Sequence, residues 1–164
     1  MYRYDFTGLE TEPLYRMTTL SDEPSKAMQF TGTVRMHPNG SVVYVANRTL
    51  GAYKEGDRKI LAKGGDNIAV FSIDPHSGLP ALLQNIDSEG TMPRTMAIDP
   101  SGEFLIVANQ FEIKAFDGDD LKTVPQSLIV FRIAPDGQLI RAARHALELG
   151  SKPMIWMDLV RASK

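Results

Sequence analysis

The chain contains no cysteine, which excludes a disulfide framework, a thiol nucleophile and a zinc ribbon. Histidine is scarce: His37, His76 and His145 stand far apart, with none of the short spacings that metal ligands use. Neither sign of charge dominates, because 18 Lys and Arg against 20 Asp and Glu leave a formal net charge of −2. That balance provides no bulk attraction for nucleic acid or an anionic membrane. Long apolar runs are also missing, and the opening Met-Tyr-Arg-Tyr-Asp-Phe has no leader-like apolar core. The expectation is a soluble, cytoplasmic protein with no metal, no cofactor, and neither a nucleic-acid nor a membrane partner. What is present, 43% hydrophobic and 23% charged residues over 164 positions, suits one globular domain.

The chain repeats itself. His37-Pro-Asn-Gly-Ser-Val-Val-Tyr-Val-Ala-Asn-Arg48 returns 62 residues later as Asp99-Pro-Ser-Gly-Glu-Phe-Leu-Ile-Val-Ala-Asn-Gln110. Asn67-Ile-Ala-Val-Phe-Ser-Ile-Asp-Pro75 returns after 60 residues as Ser127-Leu-Ile-Val-Phe-Arg-Ile-Ala-Pro135. Met92-Pro-Arg-Thr-Met-Ala-Ile98 and Lys152-Pro-Met-Ile-Trp-Met-Asp158 form a third pair, again 60 apart. Three pairs in one order at nearly one period mark a repeat architecture.

Each repeat reads as four short strands. In the first they are Thr31 to Met36, Val42 to Ala46, Ile68 to Ile73 and Leu79 to Ile86. In the second they are Arg94 to Ile98, Phe104 to Ala108, Leu128 to Ile133 and Leu139 to Leu147. Val42 to Ala46 is continuously apolar, as in a strand covered on both faces. The stretch 138–149 favours helix by composition, but its place in the repeat predicts a strand. Four-stranded units in series read as blades of a β-propeller, an all-β fold. The boundaries follow: residues 1–20 as the last two strands of a blade, 29–87 and 92–149 as blades, and 152–160 as the first strand of another. Two and a half to three blades make an incomplete ring, since propellers have about four to eight. The expectation is a piece of a longer propeller that self-associates through open blade faces.

Tight turns are expected at 37–40, 74–78, 99–102 and 134–137, and long loops at 49–66 and 111–126. The long loops share one face of the ring with the blade-to-blade connections, and binding sites favour such loops on a rigid scaffold. The candidates there are Asn47, Arg48 and Arg94. Asn47 has a counterpart in Asn109, and asparagines where a loop departs ordinarily bond backbone. Arg48 has only Gln110 as its counterpart, so the repeat does not require a cation there; a guanidinium in that place can hold an anionic group or an oxyanion. Arg94 follows a proline at the start of an inner strand, where a blade-to-blade ion pair or hydrogen bond is the ordinary use. The acidic group Asp117, Asp119 and Asp120 lacks the residue order of a calcium loop. His37 reads as a solvated turn residue.

Taken together, the His37-to-Arg48 run, Asp66-Asn-Ile-Ala-Val-Phe71, Pro93-Arg94 and the Asp99-to-Gln110 run resemble the seven-bladed propeller lactonases. That family includes propeller-type 6-phosphogluconolactonases and carboxy-muconate lactonizing enzymes. The resemblance covers about residues 29–159, and it implies a C-terminal portion of the family's usual length. It implies hydrolysis of a sugar-acid lactone, with Arg48 matching a family active-site arginine. The family's other arginine, its glutamate and its histidine would lie in blades before Tyr2. Two other functions stay open at this point: a non-catalytic propeller segment used for binding or assembly, and a carboxy-muconate cyclase-like enzyme.

Overall fold

The computed structural model describes residues 1–20, 25–62, 64–150 and 152–160. The first blade consists of β3 (Gln29–Met36), β4 (Val42–Thr49), β7 (Asn67–Ile73) and β8 (Pro80–Asp87), hydrogen-bonded in that order and antiparallel throughout. The second consists of β9 (Pro93–Ile98), β10 (Phe104–Asn109), β13 (Ser127–Ile133) and β14 (Leu139–Ala146), with the same arrangement. Residues 139–146 form a strand despite their helical composition, because β13 offers them an antiparallel ladder along their length, with one register shift between Val130 and Phe131.

Alternation along the strands builds the core. Val42, Tyr44 and Ala46 of β4 face the second blade together with Ile68 and Val70, and they pack with Met96, Leu105, Val107, Ile129, Phe131 and Leu139. Val43 and Val45 point the other way and cluster with Ala69 and Phe71. Both faces of this sheet are therefore covered, which explains the unbroken apolar run of β4.

The two blades are fastened at three depths. Between the edge strands β3 and β9, Thr33 Oγ1 donates to the carbonyl of Arg94 (2.9 Å). At the tight turns, Tyr44 Oη donates to the carbonyl of Gly137 (3.0 Å), and a His37 ring nitrogen meets the carbonyl of Gly102 (3.0 Å). His37 is thus a clasp between blades instead of a solvated turn residue. On the outer strands, Gln84 bonds both the N–H and the carbonyl of Leu139.

The expected long loops are the main departure. β5 (Ala52–Glu55) pairs with β6 (Arg58–Leu61), and β11 (Ile113–Asp117) pairs with β12 (Asp120–Val124), each as a two-residue hairpin. The hairpins join side by side through a parallel bridge between Ile60 and Phe116, giving a third sheet in the order β12-β11-β6-β5. Their turns are Gly56-Asp57 and Gly118-Asp119, 62 residues apart, so this sheet also follows the repeat. Gly56 and Gly118 have φ of 60° and 65°, as two-residue hairpin loops demand. Arg58 secures the junction, with its guanidinium 4.2 Å from the Phe116 ring centre and bonded to the Gly118 carbonyl at 2.9 Å. Because a Cβ at Gly118 would meet open space, Gly118→Ala should cost about 1 kcal/mol through backbone strain alone. A denaturant titration would measure this, and Asp119→Ala serves as the comparison.

The ends of the chain also differ from expectation. In 1–20, only β1 (Tyr4–Asp5) and β2 (Gly8–Leu9) form, as a short hairpin. Residues 13–20 pair with no strand; Tyr15 Oη instead reaches the carbonyl of Ser77 at 3.0 Å. Residues 152–160 form no strand, because no described strand lies beside them to complete a ladder. No helix among the described residues is long and apolar enough to cross a membrane.

Candidate functional site

Arg48 and Arg94 meet at one cleft of about 300 Å³, which Thr31, Gly32, Thr33, Ile155 and Trp156 also line. They reach it from different blades: Arg48 from the end of β4, Arg94 from the start of β9. The cleft floor is an irregularity in β3, whose register against β4 shifts between Thr31 and Val34. Gly32 permits the close approach there, since a Cβ would stand 3.2 Å from the Ala46 carbonyl oxygen and 3.5 Å from that of Pro93. Bulges of this kind re-aim side chains and terminate pairing beside functional sites.

The electrostatics of the cleft are one-sided. Among the described residues, no carboxylate lines it, and neither guanidinium has an ion-pair partner. Arg48 Nε is buried without a hydrogen-bond partner among the described residues. Desolvation, and next the positive charge of Arg94, push the Arg48 guanidinium below its ordinary pKa. Arg35 adds a third cation at the rim, 5.5 Å from the ring centre of the largely exposed Trp156. An anion in such a cleft would neutralise two converging cations and satisfy a buried donor.

Asn47 lies beneath this cleft, fully buried. Its Oδ1 accepts from Thr19 Oγ1 (2.7 Å), and its Nδ2 donates to the Thr19 carbonyl and to Asn67 Oδ1 (2.9 Å). Asn109 repeats the pattern with the Ser88 carbonyl and Ser127 Oγ. The Asn47 amide is therefore spent on backbone and strand contacts and is not free for substrate. Of the blade-to-blade ion pair or hydrogen bond expected of Arg94, the described residues show the hydrogen bond, which is accepted by its carbonyl and not made by its guanidinium.

Sequence reasoning missed Gly32, Thr33 and Trp156. A glycine inside a strand pattern is the signal that could have exposed the bulge; Trp156 reaches the cleft only through packing that no local pattern encodes. Among the described residues, no cluster of His, Asp and Glu is arranged to hold a metal ion.

Comparison with known proteins places this geometry in context. Residues 1–115 match the family described as "Lactonase, 7-bladed beta-propeller". A 6-phosphogluconolactonase of Formosa agariphila is 35% identical over 103 residues, covering 59% of this chain and 26% of the relative. A 6-phosphogluconolactonase of Bacillus subtilis is 32% identical over 77 residues, covering 47% of this chain and 18% of the relative. The chain thus spans about a quarter or less of the length of these curated relatives. A crystal structure of a protein from Lactobacillus plantarum superposes with a TM-score of 0.62 at 22% identity, covering 87% of this chain and 33% of that one. At that identity the likeness concerns the fold alone.

Proposed function

Because the chain belongs to the seven-bladed β-propeller lactonase family, we propose that it takes part in opening a sugar-acid lactone by water, with a phosphorylated gluconolactone as substrate. One observation carries the proposal: two guanidinium groups from adjacent blades converge on a cleft with no carboxylate in its lining among the described residues.

Lactone hydrolysis needs a water, a base to activate it, and stabilisation of the oxyanion that forms at the carbonyl. Arg48 suits the last task. Its guanidinium stays charged at neutral pH, and its buried, unpartnered Nε is a preformed donor for an oxyanion or phosphate oxygen. Arg94 suits the binding of the substrate's anionic group from the other side of the cleft. Asn47 contributes by holding the strand end from which Arg48 projects. In keeping with the family resemblance, the base is a carboxylate or histidine of another blade; among the described residues neither type lines this cleft. The same reading places the protein in the cytoplasm, where charge retains phosphorylated sugars.

The test compares 6-phosphogluconolactone with unphosphorylated gluconolactone, using a seven-bladed ring that carries this segment. Arg94→Ala should raise KM for the phosphorylated lactone about tenfold and change it little for the neutral one. Equal KM changes for both substrates would contradict a phosphate-binding role.

A further inference from the structure

Asp66 lies outside the arginine cleft, yet it bonds the backbone beside both arginines. It is buried, at 7% exposure. Its Oδ1 accepts from the Thr49 N–H and the Met92 N–H, both at 2.9 Å, and its Oδ2 accepts from Thr49 Oγ1 at 2.7 Å. Thr49 directly follows Arg48, and Met92 stands two residues before Arg94. One carboxylate therefore spans the end of β4 and the approach to β9, the two backbone stretches that carry the guanidinium groups.

Three further features show that this span is a built junction. Met92 is held at φ 53°, a conformation that L-residues avoid. A Cβ on the preceding Gly65 would stand 2.2 Å from Thr49 Cγ2, so only glycine lets Asp66 come this close to Thr49. The repeat also places Gln126 at the equivalent position, 60 residues on. Gln126 Nε2 donates to the carbonyls of Gln110 (2.6 Å) and Lys152 (2.7 Å), again joining the end of a second strand to the approach of the next inner segment. The chemistry is inverted, an acceptor in one repeat and a donor in the other, but the junction is the same.

We propose that Asp66 is a positioning residue that sets the separation of Arg48 and Arg94 and thereby lets both grip one anion; the proposal rests on reading their cleft as an anion site. Asp66 touches neither guanidinium and is not part of the cleft lining. It acts through Thr49 and Met92. Burial raises its pKa, with the neighbouring Asp87 adding to the shift, as expected of a carboxylate kept for its acceptor geometry in a poorly solvated place.

The test is a calorimetric titration of the 164-residue chain with sulfate, a dianion whose charge is constant near neutral pH. Circular dichroism confirms that each variant is folded. Arg48→Ala and Arg94→Ala should each weaken sulfate binding by roughly tenfold or more, the loss of a charge-assisted bond. Asp66→Ala should weaken it by about tenfold, and Asp66→Asn, which keeps an oxygen facing both N–H groups, should recover most of that loss. In the Asp66→Ala background, adding Arg94→Ala should cost less than about threefold, because the two arginines no longer share the anion. If Asp66→Ala does not fold, Thr49→Val decides the matter: it removes the Oγ1 bond to Asp66, together with the bond that Oγ1 accepts from the Gly51 N–H, and should weaken binding by about threefold, whereas Gly51→Ala, which leaves Oγ1 in place, should not. Wild-type affinity in folded Asp66 and Thr49 variants, with the arginine variants impaired, overturns the role of Asp66 alone. Sulfate binding indifferent to both arginine substitutions overturns the anion site, and this proposal with it.

Discussion

In a complete ring that carries this segment, Arg48→Ala is expected to lower kcat/KM for 6-phosphogluconolactone by about 10²-fold, as for loss of an oxyanion donor. The same substitution should leave stability unchanged or slightly improved. Among the described residues, Arg48 makes no ion pair and its Nε is buried without a partner, and Arg94 repels it. Removing it relieves a desolvated charge and breaks no hydrogen bond among the described residues. Arg48→Lys should fall between the two, because an ammonium keeps the charge and loses the planar fork. Steady-state kinetics and thermal unfolding on the same preparations check both halves. A fall in activity matched by a fall in stability would indicate a structural arginine.

The largest effect on stability is expected at Tyr44. Its side chain is fully buried in the core between the blades, and its hydroxyl donates to the Gly137 carbonyl. Tyr44→Ala should cost about 3–5 kcal/mol from the cavity, and the orphaned carbonyl adds to this. Tyr44→Phe should cost about 1 kcal/mol, the net worth of one buried bond. Burial, reinforced by Asp136, also pushes the Tyr44 hydroxyl up to about 12 from an ordinary value of 10.0. A pKa raised in the folded state gives stability that is complete below the unfolded value and lost as pH rises through the folded one. Alkaline unfolding should therefore include a component between pH 10 and 12 that is missing in Tyr44→Phe. Denaturant titrations at pH 7 and across that alkaline range measure both effects.

The blades were legible in the sequence because their signals are local and occur twice. Val42 to Ala46 and Phe104 to Ala108 are apolar on both sides, and Asp or His followed by Pro-x-Gly closes their turns. The hairpin sheet carried the same kind of signal, since Gly56-Asp57 and Gly118-Asp119 are two-residue turn pairs in register with the repeat. The charges of Lys54, Glu55 and Arg58 around the first turn mask its strands, so that 49–66 reads as a long loop. The apolar alternation that marks buried strands is missing from β5, β6 and β12 and is limited in β11 to the buried Ile113 and Ala115.

The site was legible only in part, for a different physical reason. Arg48 stood out because the repeat gave it no charged counterpart. Its convergence with Arg94 depends on how one blade rotates against the next, which a single repeat does not encode. The roles of Asn47 and Asp66 depend on partners from Thr19 to Met92. Position 66 carries Asp in one repeat and Gln in the other, so matching by residue type passes over a junction that geometry shows twice.

The most direct test of the anion clamp is a crystal structure of a seven-bladed ring carrying this segment, with 6-phosphogluconate bound. The account predicts oxygens of its phosphate or carboxylate within about 3 Å of nitrogens of both Arg48 and Arg94, with Arg48 Nε engaged. A ligand bound in the ring while both guanidinium groups face only solvent would contradict it.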